Sequence, residues 1–151
     1  MSSLFLDFPC SVSGKTKVIA ATWCAVEPIC AFLTNGNFIS FFLEEGVSLE
    51  ECKISRKTNA TAVAWHPKVK SIACGWQDGH VSVWGLASNG AGGDGVGVLT
   101  STCIFAKDSK HDRTPVCITV WNPSATRLVT ADVSGLILIW KVCVNDQCRS
   151  L

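Results

Sequence analysis

Charge is scarce in this chain of 151 residues: Asp, Glu, Lys and Arg together make up 17% of it. Thirteen basic residues stand against twelve acidic ones, for a formal net charge of +1, and no Lys/Arg block stands out. A nucleic-acid surface needs a basic stripe to neutralise phosphates, so none is expected. Electrostatic docking on an anionic leaflet is excluded on the same ground. Long apolar runs are missing too. The longest, Leu136 to Trp140, is strand length, far short of the ~18 residues that cross a bilayer. The N-terminal MSSLFLDFPCSVSGK has neither a basic n-region nor a long apolar h-region, so it does not read as a signal peptide. The sequon Asn59-Ala60-Thr61 is therefore not expected to carry a glycan.

Catalytic and metal-binding constellations are equally lacking. The nine cysteines are odd in number, and Cys24, Cys30, Cys74 and Cys117 lie within apolar, strand-like runs. That pattern fits a reducing, cytoplasmic setting in which thiols act as small buried hydrophobes. Cys143 and Cys148 come nearest to a paired spacing, but no His or second Cys pair supports a zinc site. Cys24 and Cys117 have apolar neighbours, where a thiol is inert, and His111 sits in the charged loop KDSKHDR without a partner implied by spacing. Glu44-Glu45 and Glu50-Glu51 fall on turn and edge positions and read as solvated surface. Gly90 to Gly95 formally fits GxGxxG, but the β-like VLTSTCIF follows it, so no helix N-terminus awaits a phosphate. No enzyme activity, cofactor, metal or small-molecule substrate is expected.

What the chain has is apolar material, at 48%, arranged in a repeat. Thr61 to Leu86, TAVAWHPKVKSIACGWQDGHVSVWGL, reads as three short strands and two turns. It returns at Pro115 to Val142, and a worn copy runs from Val18 to Phe42. The strands expected in the first copy are Val18 to Cys24, Ile29 to Thr34 and Asn37 to Phe42, with an exposed fourth over Val47 to Ile54. In the second they are Thr61 to Trp65, Ser71 to Trp76 and His80 to Trp84, then a mobile glycine-rich loop over 88–97, then Val98 to Phe105. In the third they are Val116 to Trp121, Arg127 to Asp132 and Leu136 to Lys141, with the chain ending near a fourth. Asn35-Gly36, Asp78-Gly79 and Ser134-Gly135 supply the hairpins. Residues 1–16 read as partly ordered, with a short strand over Leu4 to Phe8.

Spacing ties the copies together. Trp65 to Trp84 is 19 positions, and so is Trp121 to Trp140; Gly79 and Gly135 each lie 14 past the leading Trp. In the first copy Gly36 lies 13 past Trp23 and five before Phe41, which reads as one residue lost from the first turn. Leading tryptophans are 42 and then 56 apart, the excess being about the size of the glycine-rich loop. A period of ~40–45 residues with four strands per unit is the signature of propeller blades. The fold class expected is all-β: about three blades over 17–56, 57–106 and 107–151, an incomplete ring.

These copies resemble WD40 repeats over roughly Val18 to Val142. The Asp78-Gly79 turn followed by HVSVW, and Ser134-Gly135 followed by LILIW, match the family's third strand; Gly85 and Lys141 replace the usual Asp after the Trp. The resemblance implies a His, Ser/Thr, Asp and Trp network within a blade. Thr130 and Trp140 occupy two of its places, His111 lies one residue from a third, and Ser134 takes the Asp place, so a partial network is expected. In the middle copy Asp78 and Trp84 are present but Cys74 stands where the hydroxyl belongs. Trp23, Trp65, Trp84, Trp121 and Trp140 are expected in the blade cores. Trp76 is expected to be less constrained and free to meet a partner at the top or bottom of its blade.

The runs AWHPKVKSIACGWQDGHVSVW and VWNPSATRLVTADVSGLILIW, with the Gly75-Trp76 pair, are similar to the N-terminal propeller of the intraflagellar transport protein 140 family, subunits of intraflagellar transport complex A. That resemblance implies a non-enzymatic scaffold in the cytoplasm and cilium. Its implied partners are other complex A subunits and ciliary cargo, and its implied roles are cilium assembly and retrograde transport. The alternative is a general WD40 interaction module in a ubiquitin ligase or coat complex. Three blades cannot close a ring, so the chain reads as part of a larger polypeptide or as one completed by a second chain.

Overall fold

The computed structural model describes residues 11–12, 16–89, 98–107 and 110–141. Eleven strands run through them: β1 (Val18–Trp23), β2 (Ile29–Thr34), β3 (Phe38–Leu43), β4 (Ile54–Ser55), β5 (Ala60–Trp65), β6 (Ser71–Trp76), β7 (Val81–Asn89), β8 (Val98–Lys107), β9 (Val116–Trp121), β10 (Arg127–Asp132) and β11 (Ile137–Lys141). They form three antiparallel sheets, β1-β2-β3-β4, β5-β6-β7-β8 and β9-β10-β11. Neighbours in each sheet are neighbours in sequence, so each sheet is a meander. The strand expectation over Leu4 to Phe8, the fourth strand after Lys141, and Cys143 and Cys148 lie outside the described residues.

The sheets stack face to face, and the middle one is covered on both sides. Every residue of β6 is buried, which is why its sequence, SIACGW, shows no alternation of polar and apolar residues. Ile72, Cys74 and Trp76 pack into a cluster with Ile29, Leu33, Ile39, Phe41 and Ile54 of the first sheet. On the opposite face, Ala73 and Val81 pack with Val116, Trp121 and Leu128 of the third. Gly75 belongs to that second face. A Cβ at Gly75 would lie 2.5 Å from Val116 Cγ1, so the third sheet seats on bare backbone there.

The register corrects the spacing reading of the first copy. Trp23 pairs with Cys30, Trp65 with Ile72 and Trp121 with Leu128, seven residues on in each case. The first turn has therefore lost nothing. Cys30 in turn pairs with Phe42, as Ile72 does with Trp84 and Leu128 with Trp140. Phe42, not Phe41, takes the Trp place, 19 positions after Trp23. The hairpins do differ. Gly79 and Gly135 close theirs at φ 78° and 93°. Asn35 and Gly36 stay out of the left-handed region, because the Thr34 hydroxyl closes that loop, donating to the Phe38 carbonyl at 2.9 Å and accepting from the Gly36 N–H at 3.3 Å.

Two further expectations change. The fourth strand over Val47 to Ile54 is reduced to Ile54–Ser55 plus a single bridge from Ser48 to Phe42. A 3-10 turn at Glu50–Cys52 interrupts it and buries Cys52, whose thiol donates to the Leu99 carbonyl at 3.2 Å. Ser88 and Asn89, read as the start of a mobile loop, continue β7 instead. The β7–β8 ladder runs from Val81 opposite Lys107 to Asn89 opposite Val98.

Candidate interaction surface

The third sheet contains a complete polar network. His111 Nδ1 lies 2.8 Å from Asp132 Oδ2 and its Nε2 lies 2.8 Å from Thr130 Oγ1. The Trp140 indole donates to the same hydroxyl at 2.8 Å. With Nδ1 protonated, His111 donates to the carboxylate and accepts from Thr130, whose oxygen in turn accepts from the indole; no buried polar atom of the four is left over. The Asp place is thus filled by Asp132, two residues before Ser134, and His111 enters the network although its loop is polar. His111 is 1% exposed and Asp132 4%. Both expectations, of a partial network and of Ser134 in the Asp place, are corrected. The physical reason is the hairpin: Asp132 Oδ1 accepts from Ser134 N at 2.9 Å, Ser134 Oγ at 2.6 Å and Leu136 N at 3.1 Å. Ser134 therefore serves the Asp rather than replacing it. These bonds hold the Asp132 carboxyl at about 2, below its ordinary 3.8. The Ser134 hydroxyl lowers it most, burial opposes, and His111 and the two backbone N–H groups assist.

The middle sheet solves the same problem with different atoms. Trp76 stands where the third sheet has Asp132, and Cys74 where it has Thr130, each 56 positions earlier. Ser82 becomes the hub: its Oγ accepts from the Trp76 indole at 2.8 Å and from the Trp84 indole at 3.0 Å. The expectation that Trp76 is exposed is overturned, since it is 0% exposed. Its ring faces the first sheet and carries the Arg56 guanidinium 5.0 Å from its centroid. Arg56 also pairs with Asp78 at 3.1 Å, while Asp78 Oδ1 accepts from the His80 N–H in its own turn. Burial, then Cys103, pushes the Cys74 thiol up, and burial, then Glu51, raises Cys52 to about 11. Neither is a nucleophile at neutral pH.

One bond recurs at the seams between sheets. The Trp65 indole donates to the Thr22 carbonyl at 2.9 Å, and the Trp121 indole to the Ala64 carbonyl at 3.2 Å. Each acceptor is the residue before the leading Trp of the preceding sheet. Phe41 meets Trp65 edge-on at 5.8 Å, and His66 meets Trp121 at 4.7 Å. Trp23 has no sheet in front of it among the described residues. It is 58% exposed, which corrects its expected place in the core. With Cys24, Val26, Glu27, Pro28 and Glu44 it lines an open depression of about 460 Å³. Other exposed apolar residues lie on the outer face of the third sheet and at its hairpin, where Val133 is 65% and Leu136 42% exposed. Among the described residues no cluster of His, Cys, Asp and Glu could hold a metal ion.

Sequence reasoning missed Asp132 and Ser82. Asp132 was legible from its position two residues ahead of Ser134, the spacing of an Asp that caps its own turn. Nothing in the sequence marks Ser82 as a hub for two indoles.

Meander sheets stacked in sequence order, with the leading tryptophans of the second and third bonded to the sheet before them, are blades of a WD40-type β-propeller. Three are present among the described residues and the ring is open. The solved chain from a mitotic checkpoint complex has the same fold, at a TM-score of 0.66 and 20% identity; the match covers 83% of the present chain and 38% of that one. The model of the family described as the IFT140 first beta-propeller matches residues 4–149, and the chain belongs to that family.

Proposed function

We propose that this chain is a non-enzymatic scaffold of the intraflagellar transport complex A type, working in the cytoplasm and cilium in cilium assembly and retrograde cargo transport. The match to the IFT140 first propeller across residues 4–149 carries this reading. The chemistry of the molecule agrees with it. Two sets of buried polar groups are spent inside single blades, in the His111–Asp132–Thr130–Trp140 network and the Ser82 hub. What remains for recognition is shape and loop display. Its partners are then other complex A subunits and ciliary cargo, met through exposed loops such as Val133 to Leu136 and Glu27 to Pro28.

Proximity labelling from the tagged chain in ciliated cells tests the reading. Complex A subunits are expected among the labelled proteins, and label at the cilium. A labelled set without complex A subunits, dominated by ubiquitin-ligase or coat components, overturns it.

A further inference from the structure

One contact repeats at the end of the propeller that carries the β2–β3, β6–β7 and β10–β11 hairpins. In each blade the hairpin backbone bonds to the loop entering the first strand. The Asn35 N–H donates to the Lys17 carbonyl at 2.9 Å, Gln77 to Asn59 at 2.9 Å and Val133 to Pro115 at 3.1 Å. Two positions before each acceptor the sequence has a basic residue followed by threonine: Lys15-Thr16, Lys57-Thr58 and Arg113-Thr114, each basic residue eight before its leading Trp. Lys15 lies outside the described residues; Lys57 and Arg113 are both exposed. They take the same place in adjacent stacked sheets, so they stand about 10 Å apart.

Charge on this end is one-sided. The five glutamates lie elsewhere, in the connections after β1 and β3. Asp78 is paired with Arg56 at 3.1 Å, and Asp132 is buried in its network. Asp112 is the exposed acid that remains there among the described residues. Asp112 and Arg113 hold φ of 43° and 61°, two consecutive non-glycine residues in the left-handed region. The Thr114 N–H closes their turn on the His111 carbonyl at 2.8 Å, and the buried His111 ring anchors it. Backbone strained in this way clusters at ligand clamps. Beside it Val133 is 65% exposed. Asn35 and Gln77 fill that place in the other blades and are exposed too, even in the middle blade, which is covered on both faces. The position therefore faces outward in every blade, and the third blade puts an apolar side chain there.

We propose that this end binds an extended acidic peptide segment of a partner protein. At about 3.3 Å per residue, carboxylates three positions apart span the two basic groups. The first pairs with Lys57 and the second with Arg113, whose guanidinium takes both carboxylate oxygens. An apolar residue just past the second acid rests on Val133. Two separated basic groups and one apolar spot suit a strand of that pattern rather than an anionic leaflet, which is held by clusters of ~4–8 Lys and Arg. This rests on the scaffold reading and names the chemistry of one segment that the exposed loops meet.

Fluorescence anisotropy of a labelled peptide titrated with the full chain tests this. The peptide carries two glutamates three positions apart and a leucine after the second. One comparison peptide has the same residues with the glutamates adjacent, and another has glutamine for glutamate. The first is expected to bind, the second more weakly and the third not at all, with affinity falling as salt is raised. Lys57→Gln and Arg113→Gln are each expected to weaken binding about two- to fivefold, the worth of an exposed ion pair, and together to remove most of it. Lys68→Gln, an exposed lysine in the β5–β6 turn at the opposite end, is expected to change nothing. The double variant Lys57→Glu with Arg113→Glu should lose the acidic peptide and take the same sequence written with lysines, which also shows that it is folded. Three outcomes overturn the proposal. Lys68→Gln weakening binding as much as Arg113→Gln means that only net charge is read. A glutamine peptide bound as well as the glutamate one means that charge is not read. No binding of the acidic peptide, with or without capture of the chain on phosphatidylserine vesicles, removes the site. None of these bears on complex A labelling in ciliated cells, so the site and the scaffold reading fail separately.

Discussion

Replacing Gly75 by alanine tests whether the second and third blades are seated as described. The added Cβ would lie 2.5 Å from Val116 Cγ1 and 2.8 Å from Val116 Cβ. Val116 cannot swing away, because it is β-branched and 0% exposed. Overpacking of this kind costs about 1–3 kcal/mol. Alanine also restricts the unfolded chain relative to glycine, which returns about 0.4–1 kcal/mol. The steric effect wins, leaving a net loss of about 1–2 kcal/mol. For a domain of this size that lowers Tm by about 2–8 °C. Thermal and urea unfolding at one fixed protein concentration measure it, because any association shifts apparent stability. The cycle with Val116→Ala is the sharper test. Val116→Ala alone loses buried methyl groups, but it removes Cγ1, the nearer of the two atoms that the methyl introduced by Gly75→Ala would strike, and leaves Cβ at 2.8 Å, so the relief is partial. The double variant should therefore be less destabilised than the sum by about 1 kcal/mol. Gly135→Ala is the control: nothing lies within 4 Å of its Cβ, and its cost comes from φ of +93°, so Val116→Ala should not relieve it. A neutral Gly75→Ala, or strict additivity with Val116→Ala, refutes the seating.

Other substitutions probe the polar hubs. Ser82→Ala removes the acceptor of two indoles and is expected to cost about 1–3 kcal/mol in urea unfolding, with a change in tryptophan fluorescence. Thr130→Val leaves His111 and the Trp140 indole each short of a partner and should cost about as much. Acid titration tests Asp132. Its folded pKa is depressed, so its contribution is complete above the unfolded value of 3.8 and is lost as pH falls toward about 2. Asp132→Asn should therefore be less stable at neutral pH and show a flatter loss of stability over that acid window.

The meander and its turns were legible because local chemistry fixes them. Strands β2, β6, β9 and β10 fall where the apolar runs and the Pro and Gly signals put them. The hairpin at Gly79 follows from a residue that tolerates φ of 78°. Where the sequence misled about burial, the neighbouring blade, or its absence among the described residues, decided. Trp76 looks free when β6 is considered alone and is buried once the first sheet covers it. Trp23 looks like core by its repeat position and is exposed because no blade precedes it among the described residues. The first-copy register departs from the spacing because Gly36 is not the equivalent of Gly79; a Thr34 hydroxyl closes that hairpin instead. His111 is one residue out by counting, and only the folded loop brings its ring between Asp132 and Thr130.

The two seam bonds bridge different lengths of chain, 43 residues from Thr22 to Trp65 and 57 from Ala64 to Trp121, yet join the same atoms. Much of the surplus lies in the long β7–β8 ladder, between the two seams in sequence, where Leu86 and Leu99 add to the packing against the first sheet. The same seam bond therefore forms across connections of different length. Asn89 and Val98 pair opposite each other, so chain added between them leaves the ends of the ladder together: a reporter or affinity tag spliced there should leave the Thr22–Trp65 and Ala64–Trp121 seam bonds in place.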